Sequence, residues 1–206
     1  MDTKNRILNA AERLFAQQGF VQTSMREITS SADVNLAAIN YHFGSKNNLI
    51  QSVFQRYFDR LMPRLETDLR QVHDAQELET KQVLAACIAP LQSLESIRPQ
   101  GTAVFLLLLG RGYNESQGHL RKFIQAEYGN TLKLLMACVH KSVPWLSAET
   151  LFWRLHFALG SAVFSMAAQS ALSEIVEADF HHPTSTTDML HTLLPFVAQG
   201  LSAQET

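Results

Sequence analysis

Apolar residues recur three and four positions apart along almost the whole chain, and this spacing restricts its fold more than any other feature. An α-helix turns once in about 3.6 residues, so the spacing places the apolar side chains on one helical face. No stretch alternates polar and apolar residues for long enough to predict a strand. We therefore expect an all-α protein of about nine helices.

Capping residues and prolines predict where these helices begin and end. Gly19 ends the first helix, and Ser24 begins the second as an N-cap. Pro63, Pro90 and Pro195 fall inside helical patterns, so we expect a kink or an earlier boundary at each, because proline removes a backbone donor. The predicted spans are Thr3–Gln18, Met25–Ala32, Leu36–Phe43, Lys46–Val72, Ala75–Ser96, Thr102–Gly112, Gln117–Lys141, Ala148–Val176 and Thr186–Leu201.

The composition suits a soluble globular protein, with 46% hydrophobic residues, 17% charged residues and a net charge of −2. Met1 is followed by a polar stretch rather than by a charged and apolar leader, which favours a cytoplasmic location. The apolar run Ala103–Leu109 is shorter than the roughly 20 residues that cross a bilayer, so we expect no association with a membrane. Cys87 and Cys138 lie in no CxxC or Cys/His pattern, which predicts no disulfide, no metal site and no cofactor.

The segment Ile28–Phe43 has the spacing of a helix-turn-helix, in which a short helix, a tight turn and a second short helix follow each other. The turn needs a residue that tolerates a positive φ, and Asp33 is of one of the few non-glycine types that do. Val34 is expected to be buried after the turn. Ile39 and Phe43 lie one helical turn apart and are expected to face the core, which leaves the opposite face for the major groove of DNA.

The second short helix, Leu36–Phe43, is the predicted reading helix, and its first residues have short side chains that permit close approach to base edges. Asn40 can read adenine, while Leu36 and Ala37 can touch thymine methyl groups. The residues placed to hold phosphates are Tyr41, His42 and Lys46.

The stretch Asp33–Lys46, followed by Leu49, resembles the signature of TetR-family repressors, including the adjacent His and Phe and the downstream lysine. Two positions differ from the family pattern: Asp33 stands where glycine is usual, and Asn40 stands where tyrosine is common, with Tyr41 one place on. The resemblance implies a three-helix helix-turn-helix DNA-binding domain over residues 1–46 and a helical ligand-sensing and dimerisation domain over residues 47–206. It also implies a homodimer that binds double-stranded operator DNA and is released by a small hydrophobic effector.

The helix before the turn adds two candidates for DNA contact. Arg26 matches a family position that reaches a base or a phosphate, and Ser24 can donate to a phosphate. Residues 1–50 carry a slight excess of positive charge while the remainder is negative, which favours DNA contact at this end. The candidate DNA-contacting residues are Ser24, Arg26, Asn35, Leu36, Ala37, Asn40, Tyr41, His42 and Lys46.

Three further stretches, residues 117–122, 151–157 and 164–166, are similar to the fatty-acid-responsive members of the same family in pseudomonads. This similarity implies control of fatty-acid degradation genes, with a long-chain fatty acid or its acyl-CoA as the effector. A regulator of efflux, or of another pathway that senses a different hydrophobic molecule, is the alternative.

The middle helices are rich in large apolar residues, which fill the core or line an effector channel, because both use the same residue types. The candidate ligand-binding residues are Phe105, Leu109, Tyr113, Phe123 and Phe157. The last two long helices are the expected dimer interface around a two-fold axis, with packing inside the subunit as the alternative. The candidate interface residues are Ala158, Ser161, Ala162, Ser165, Ala168, Leu190, Leu193, Leu194 and Val197.

An enzyme is a remote alternative from another functional class. The histidines, among them His119 and His156, have no nucleophile or acid partner at a known catalytic spacing. The sequence Gly44-Ser-Lys46 resembles only the end of a phosphate-binding loop, and it follows a helix rather than a strand. We therefore expect no catalytic residues, and the helix-turn-helix signature also argues against a helical adaptor for protein partners.

Overall fold

Apolar side chains three and four residues apart lie on the inner faces of most helices in the described part of the chain, residues 2–115 and 118–204 of this computed structural model. These residues form ten α-helices and one short 3-10 helix, and none of them forms a strand, which confirms the predicted all-α fold. The helices are α1 Thr3–Gln18, α2 Met25–Ala32, α3 Leu36–Phe43, α4 Lys46–His73, α5 Thr80–Gln92, α6 Gly101–Asn114, α7 Gly118–Ser142, α8 Ala148–Ala167, α9 Gln169–Phe180 and α10 Thr186–Ser202, with the 3-10 helix at Ser93–Ser96.

The first four helices begin where local capping predicts. The side chains of Asp2, Asn35 and Ser45 accept hydrogen bonds from backbone N–H groups three residues on, at 2.7, 2.9 and 3.1 Å. Ser24 and Glu27 form a complete capping box. Because each cap depends only on residues within one turn, α1, α2 and α3 have the bounds that the sequence predicts.

The prolines do not end the helices. α4 runs without interruption past Pro63, and α5 and α10 likewise contain Pro90 and Pro195, so of the two predicted alternatives, a kink or an earlier boundary, the earlier boundary is wrong. Pro63 is exposed, whereas Met62 and Leu65 beside it are buried. Core packing on the buried side therefore holds α4 together across the backbone donor that Pro63 lacks.

Two predicted spans differ from the observed helices by more than two residues. α5 begins at Thr80 rather than near residue 75, because Glu79 and Gln82 form a capping box there. The span predicted over residues 148–176 consists of α8 and α9, which meet at Ala168 with a bend of 72°. The predicted start of α7 at Gln117 lies outside the described residues.

Taken singly, no helix within residues 2–115 and 118–204 is long and apolar enough to span a membrane, and α8 and α9 reach that composition only as a bent pair.

α4 is the central element of the packing and lies against α1, α3, α5 and α7. α6 lies between α1 and α8, and α10 packs on α5 and α8. The buried apolar side chains of α1 to α8 belong to one cluster. The helix-turn-helix end of the chain therefore shares a continuous core with the helices that follow it.

Candidate nucleic-acid interface

The turn between α2 and α3 orients the reading helix. Asp33 has φ 50° and ψ 56°, the left-handed conformation that its place in the turn predicts. The N–H of Val34 donates to the carbonyl oxygen of Thr29 at 3.0 Å, and Asn35 accepts from the N–H of Ala38 at 2.9 Å. Val34 itself is half-buried rather than buried as predicted.

A side chain that the sequence analysis missed braces this turn from α1. Arg6 donates to the carbonyl oxygen of Ala32 from Nε at 3.0 Å and from Nη2 at 2.6 Å. The same guanidinium bonds the carbonyl oxygen of Asp33 and, at 3.0 Å, its carboxylate. Charge-assisted bonds of this kind are stronger than neutral ones, so α1 fixes the angle between α2 and α3. No local pattern could have found Arg6, because it lies 26 positions from Ala32.

α3 has an apolar inner face and a mixed outer face. Ile39 has no exposed surface and Phe43 is buried, as predicted. Tyr41 keeps 85% of its surface exposed, which is unusual for an aromatic side chain when a core is available to it. The predicted contacts on the outer face are all exposed, namely Leu36, Ala37, Asn40 and Tyr41.

The start of α2 contributes the next two predicted contacts, Ser24 and Arg26, both of them exposed. The N–H of Ser24 donates to Glu27 Oε2 at 2.6 Å, and Ser24 Oγ accepts from the N–H of Glu27 at 3.2 Å. Hydrogen bonds to the Glu27 carboxyl from the backbone N–H and from the side chain of Ser24 hold its pKa below its ordinary value. The Ser24 hydroxyl has one proton, so a contact with a phosphate would replace its bond to the Glu27 carboxyl while Oγ still caps α2.

Of the predicted phosphate contacts at the end of α3, His42 and Lys46 are half-buried, whereas Tyr41 is exposed. Lys46 Nζ lies 3.4 Å from the carbonyl oxygen of Val21, a long hydrogen bond that leaves other ammonium protons able to reach a phosphate. The ring of His42 lies edge-on to that of Tyr41, with centroids 5.1 Å apart. His42 and Tyr41 thus form adjacent polar groups at the end of the reading helix.

The structure brings two of the predicted ligand-binding residues, Phe105 and Phe123, into one aromatic cluster. Phe105 is buried, with its ring centroid 5.4 Å from that of Phe58 on α4. The ring of Tyr128 on α7 lies 5.0 Å from Phe58 and 6.0 Å from Phe123. Leu109 is half-buried against the same core. An aromatic cluster therefore fills the junction of α4, α6 and α7.

Tyr113 and Phe157 do not join this cluster, which corrects the expected single channel. Tyr113 is 58% exposed and lies edge-on to the ring of His156, and Phe157 is 66% exposed and stacks on Trp153. Tyr113 lies on α6 and Phe157 on α8, and both helices are apolar on several faces. Residue type therefore did not show which face turns inward. Two surface clefts, of about 590 and 440 Å³, contain none of the predicted ligand residues on their walls.

The predicted dimer face also needs correction. Leu190 and Val197 are buried in their own subunit, where α10 packs on α5 and α8, so their assignment to the interface is wrong. The other predicted interface residues are half-buried, namely Ala158, Ser161, Ala162, Ser165, Ala168, Leu193 and Leu194. The side chains that α8 exposes are larger: Trp153, Phe157 and Phe164 are 52, 66 and 64% exposed. Their spacing of four and seven residues places them on one face of α8.

Comparison with known proteins identifies both halves of the chain. Residues 7–53 match the family of bacterial regulatory proteins called the tetR family. Residues 85–200 match the tetracyclin repressor-like C-terminal domain. Together the two matches cover the helix-turn-helix and most of the helices after it.

Curated relatives match over a shorter stretch. The probable HTH-type transcriptional regulator YttP of Bacillus subtilis is 42% identical over 67 residues, which is 32% of this chain and 32% of YttP. The HTH-type transcriptional regulator UidR of Escherichia coli is 34% identical over 71 residues, 34% of this chain and 36% of UidR. The chain thus spans about a third of the length of these relatives.

Solved structures share the fold over nearly the whole chain. The fatty acid degradation regulator FadR from Bacillus halodurans has a TM-score of 0.61 and 14% identity, and the match covers 96% of this chain and 95% of FadR. A TetR-like transcriptional regulator from Rhodococcus sp. RHA1 has a TM-score of 0.56 and 18% identity, with 98% and 97% of the two chains covered.

Proposed function

We propose that this chain, which belongs to the TetR family of bacterial regulatory proteins, is a transcriptional repressor that binds its operator as a dimer and leaves it when a small hydrophobic effector binds. The observation that carries the proposal is the outer face of α3, where short and polar side chains are exposed on a helix anchored by Ile39 and Phe43. A helix of this kind fits the major groove, where each base pair presents a distinct pattern of donors and acceptors.

In the proposed complex, Asn40 makes paired hydrogen bonds to an adenine edge. Leu36 and Ala37 contact thymine methyl groups beside it. Phosphate contacts come from Ser24 and Arg26 at the start of α2 and from Tyr41, His42 and Lys46 at the end of the reading helix. These contacts fix the register of the protein on DNA, while the base contacts select the sequence.

The proposed dimer forms through the exposed aromatic face of α8 together with α10. On α10, Phe196 is 69% exposed although Val197 beside it is buried in the subunit. Large apolar side chains at this exposure stabilise a contact between subunits, since burial removes them from water. A two-fold axis through this face would present two copies of α3 to the same side of a DNA duplex.

The proposed effector is a long-chain fatty acid or its acyl-CoA. The support comes from the sequence, because residues 151–157 and 164–166 resemble PsrA, the fatty-acid-responsive regulator of pseudomonads. The aromatic cluster around Phe105 fills the junction of α4, α6 and α7, so an acyl chain bound there would part these helices and take up the apolar surface between them. We place the acyl chain there because α4 and α6 both contact α1, and α4 also contacts the reading helix α3.

Selection from random DNA tests the DNA-binding proposal. Full-length protein retains duplexes from a random library, and hydroxyl-radical footprinting then maps the contacts on the enriched sequence. We expect two related half-sites about 34–36 Å apart, because a two-fold protein carries two reading helices. One asymmetric and unrepeated footprint would contradict the dimer, and failure to enrich any duplex would contradict DNA binding altogether.

A further inference from the structure

Glu12 is an acidic residue in the interior of the molecule. It lies on α1 with 1% of its surface exposed. Glutamate is almost never fully buried unless it is paired, and here both carboxylate oxygens are bound. Arg56 Nη1 lies 3.1 Å from Oε2, and Arg98 Nη1 donates to Oε1. We call this group of three residues the junction triad.

The junction triad connects three separate parts of the chain. Glu12 belongs to α1, Arg56 belongs to the central helix α4, and Arg98 lies in the segment between the 3-10 helix and α6. Arg98 is 86 positions from Glu12. The carboxylate thus joins the helix-turn-helix end to the helices that hold the proposed effector.

The segment that carries Arg98 has an unusual backbone. Gln100 has φ 60°, a left-handed conformation that non-glycine residues seldom adopt. A Cβ at Gly101 would lie 2.1 Å from the carbonyl oxygen of Leu94, so only glycine fits there. Strained backbone of this kind persists where the surrounding contacts hold it. The pairing of Arg98 with Glu12 is one such contact.

The far end of α6 also holds α1. Arg111 Nη2 donates to the carbonyl oxygen of Gln17 at 3.2 Å, and the N–H of Val21 donates to Glu115 Oε2 at 2.6 Å. α6 is thus linked to α1 near both of its ends, by Arg98 just before its first residue and by Arg111 in its last turn. We therefore expect a displacement of α6 to be transmitted to α1. Since Arg6 on α1 braces the α2–α3 turn, the displacement reaches the reading helix.

We infer that Arg98 is a positioning residue for operator recognition: through Glu12 it sets the orientation of α1, and through α1 the angle at which α3 meets DNA. The inference rests on the proposed DNA-binding function. The cleft of about 590 Å³ between Arg13, Ser31 and Arg98 borders the junction triad and leaves space for α1 to shift. The side chain of Arg98 is 37% exposed, and that of Arg56 is 20% exposed, so Arg98 is the member that solvent reaches more readily.

The test compares Arg98→Gln with Arg98→Lys and with the control Arg64→Gln in the full-length protein. Arg64 pairs with Asp68 at 3.3 Å on α4, so the control also breaks an ion pair but lies outside the junction triad. Affinity is measured by fluorescence anisotropy for the duplex selected with the wild-type protein and for a scrambled duplex of equal length. Hydrogen exchange of the amides of α1 to α3 is measured on the same samples.

We expect Arg98→Gln to weaken binding to the selected duplex by about 5-fold or more, the lower end of usual coupling between sites, and to leave the scrambled duplex within 2-fold. Amides of α1 and of the α2–α3 turn should exchange faster, while those of α8 and α10 should not change. Arg98→Lys, which keeps the charge, should recover most of the affinity, and Arg64→Gln should match the wild type.

Equal affinity of Arg98→Gln and wild type for the selected duplex would overturn the inference and leave the DNA-binding proposal intact. An equal loss of affinity for both duplexes, together with faster amide hydrogen exchange in every helix, would also overturn it, because this pattern indicates general unfolding. If the wild-type protein enriches no duplex, the proposed function itself fails, and that result is distinct from both.

Discussion

At the scale of single residues, the proposed base contact and a proposed phosphate contact lie on different helices: Asn40 on α3 and Lys46 at the start of α4. Asn40 is exposed on the outer face of α3, and its amide presents a donor and an acceptor side by side, as an adenine edge requires. Lys46 is half-buried beyond the end of the helix, and its ammonium group can only donate. We therefore expect replacement of Asn40 to change the dependence of DNA affinity on sequence, and replacement of Lys46 to change its dependence on salt.

Replacement of Asn40 by alanine should weaken operator binding by about 1–3 kcal/mol and change binding to random DNA little, because the lost bonds are to a base edge. Anisotropy titrations on the selected and scrambled duplexes measure both affinities. Asn130→Ala is the matched control, since Asn130 is an exposed amide on α7. Equal losses on the two duplexes would show that Asn40 only positions the backbone.

Replacement of Lys46 by alanine should weaken binding to every duplex, because a phosphate contact does not depend on sequence. The slope of log affinity against log salt concentration should become shallower by about 1 unit, since one fewer counterion is released. Affinities at several salt concentrations give the slope, with Lys133→Ala on α7 as the control. An unchanged slope would remove Lys46 from the phosphate contacts.

At the scale of helices, α8 and α10 have apolar residues on two sides. One side packs inside the subunit, where Leu190 is 4% exposed, and the other side remains in solvent, where Phe164 and Phe196 are 64 and 69% exposed. A helix that is apolar on both sides needs cover on both sides. In the proposed dimer, the second subunit covers the exposed side.

Replacement of Phe164 by glutamate should raise the dimer dissociation constant by at least about 10-fold, or about 1.4 kcal/mol, because it puts a charge into an apolar contact. Analytical ultracentrifugation over a range of concentrations measures the constant. Trp145→Glu is the control, since Trp145 is 53% exposed in the turn between α7 and α8. A dimer that tolerates glutamate at Phe164 would place the subunit contact elsewhere.

At the scale of the whole molecule, the proposed effector site and the proposed reading helix share one continuous core. The aromatic cluster lies on α4, α6 and α7, and α1 is bound by Arg98 just before α6 and by Arg111 near the end of α6. If an effector lowers operator affinity by some factor, the operator must lower effector affinity by the same factor. The change in operator affinity caused by the effector and the change in effector affinity caused by the operator therefore measure the same coupling free energy.

Effector affinity should rise with acyl chain length by about 4-fold per methylene, which corresponds to roughly 0.8 kcal/mol of burial, until the site is full. Titration of saturated fatty acids and their CoA esters against the protein–operator complex measures release. Short-chain acids serve as the matched control for the carboxylate. If no acyl species of any length weakens the complex while the protein still binds its operator, the lipid proposal fails and another hydrophobic effector must be sought.

The sequence by itself determined the features that depend on neighbouring residues. The spacing of apolar residues fixed the all-α fold, and caps such as Ser24 and Asn35 fixed the bounds of α2 and α3. The left-handed conformation at Asp33 also followed, because it depends on residue type and on the turn that contains it. Each of these features involves hydrogen bonds over five residues or fewer.

Only the tertiary structure decided which side of an apolar helix is covered and which distant charges meet. Phe157 and Val197 are similar in type, yet the first is 66% exposed and the second is buried, because neighbouring helices cover only one of them. Arg6 reaches a turn 26 positions away, and Arg98 reaches a carboxylate 86 positions away. Such pairs form only after helices have packed, since their geometry depends on helix positions that local spacing does not encode.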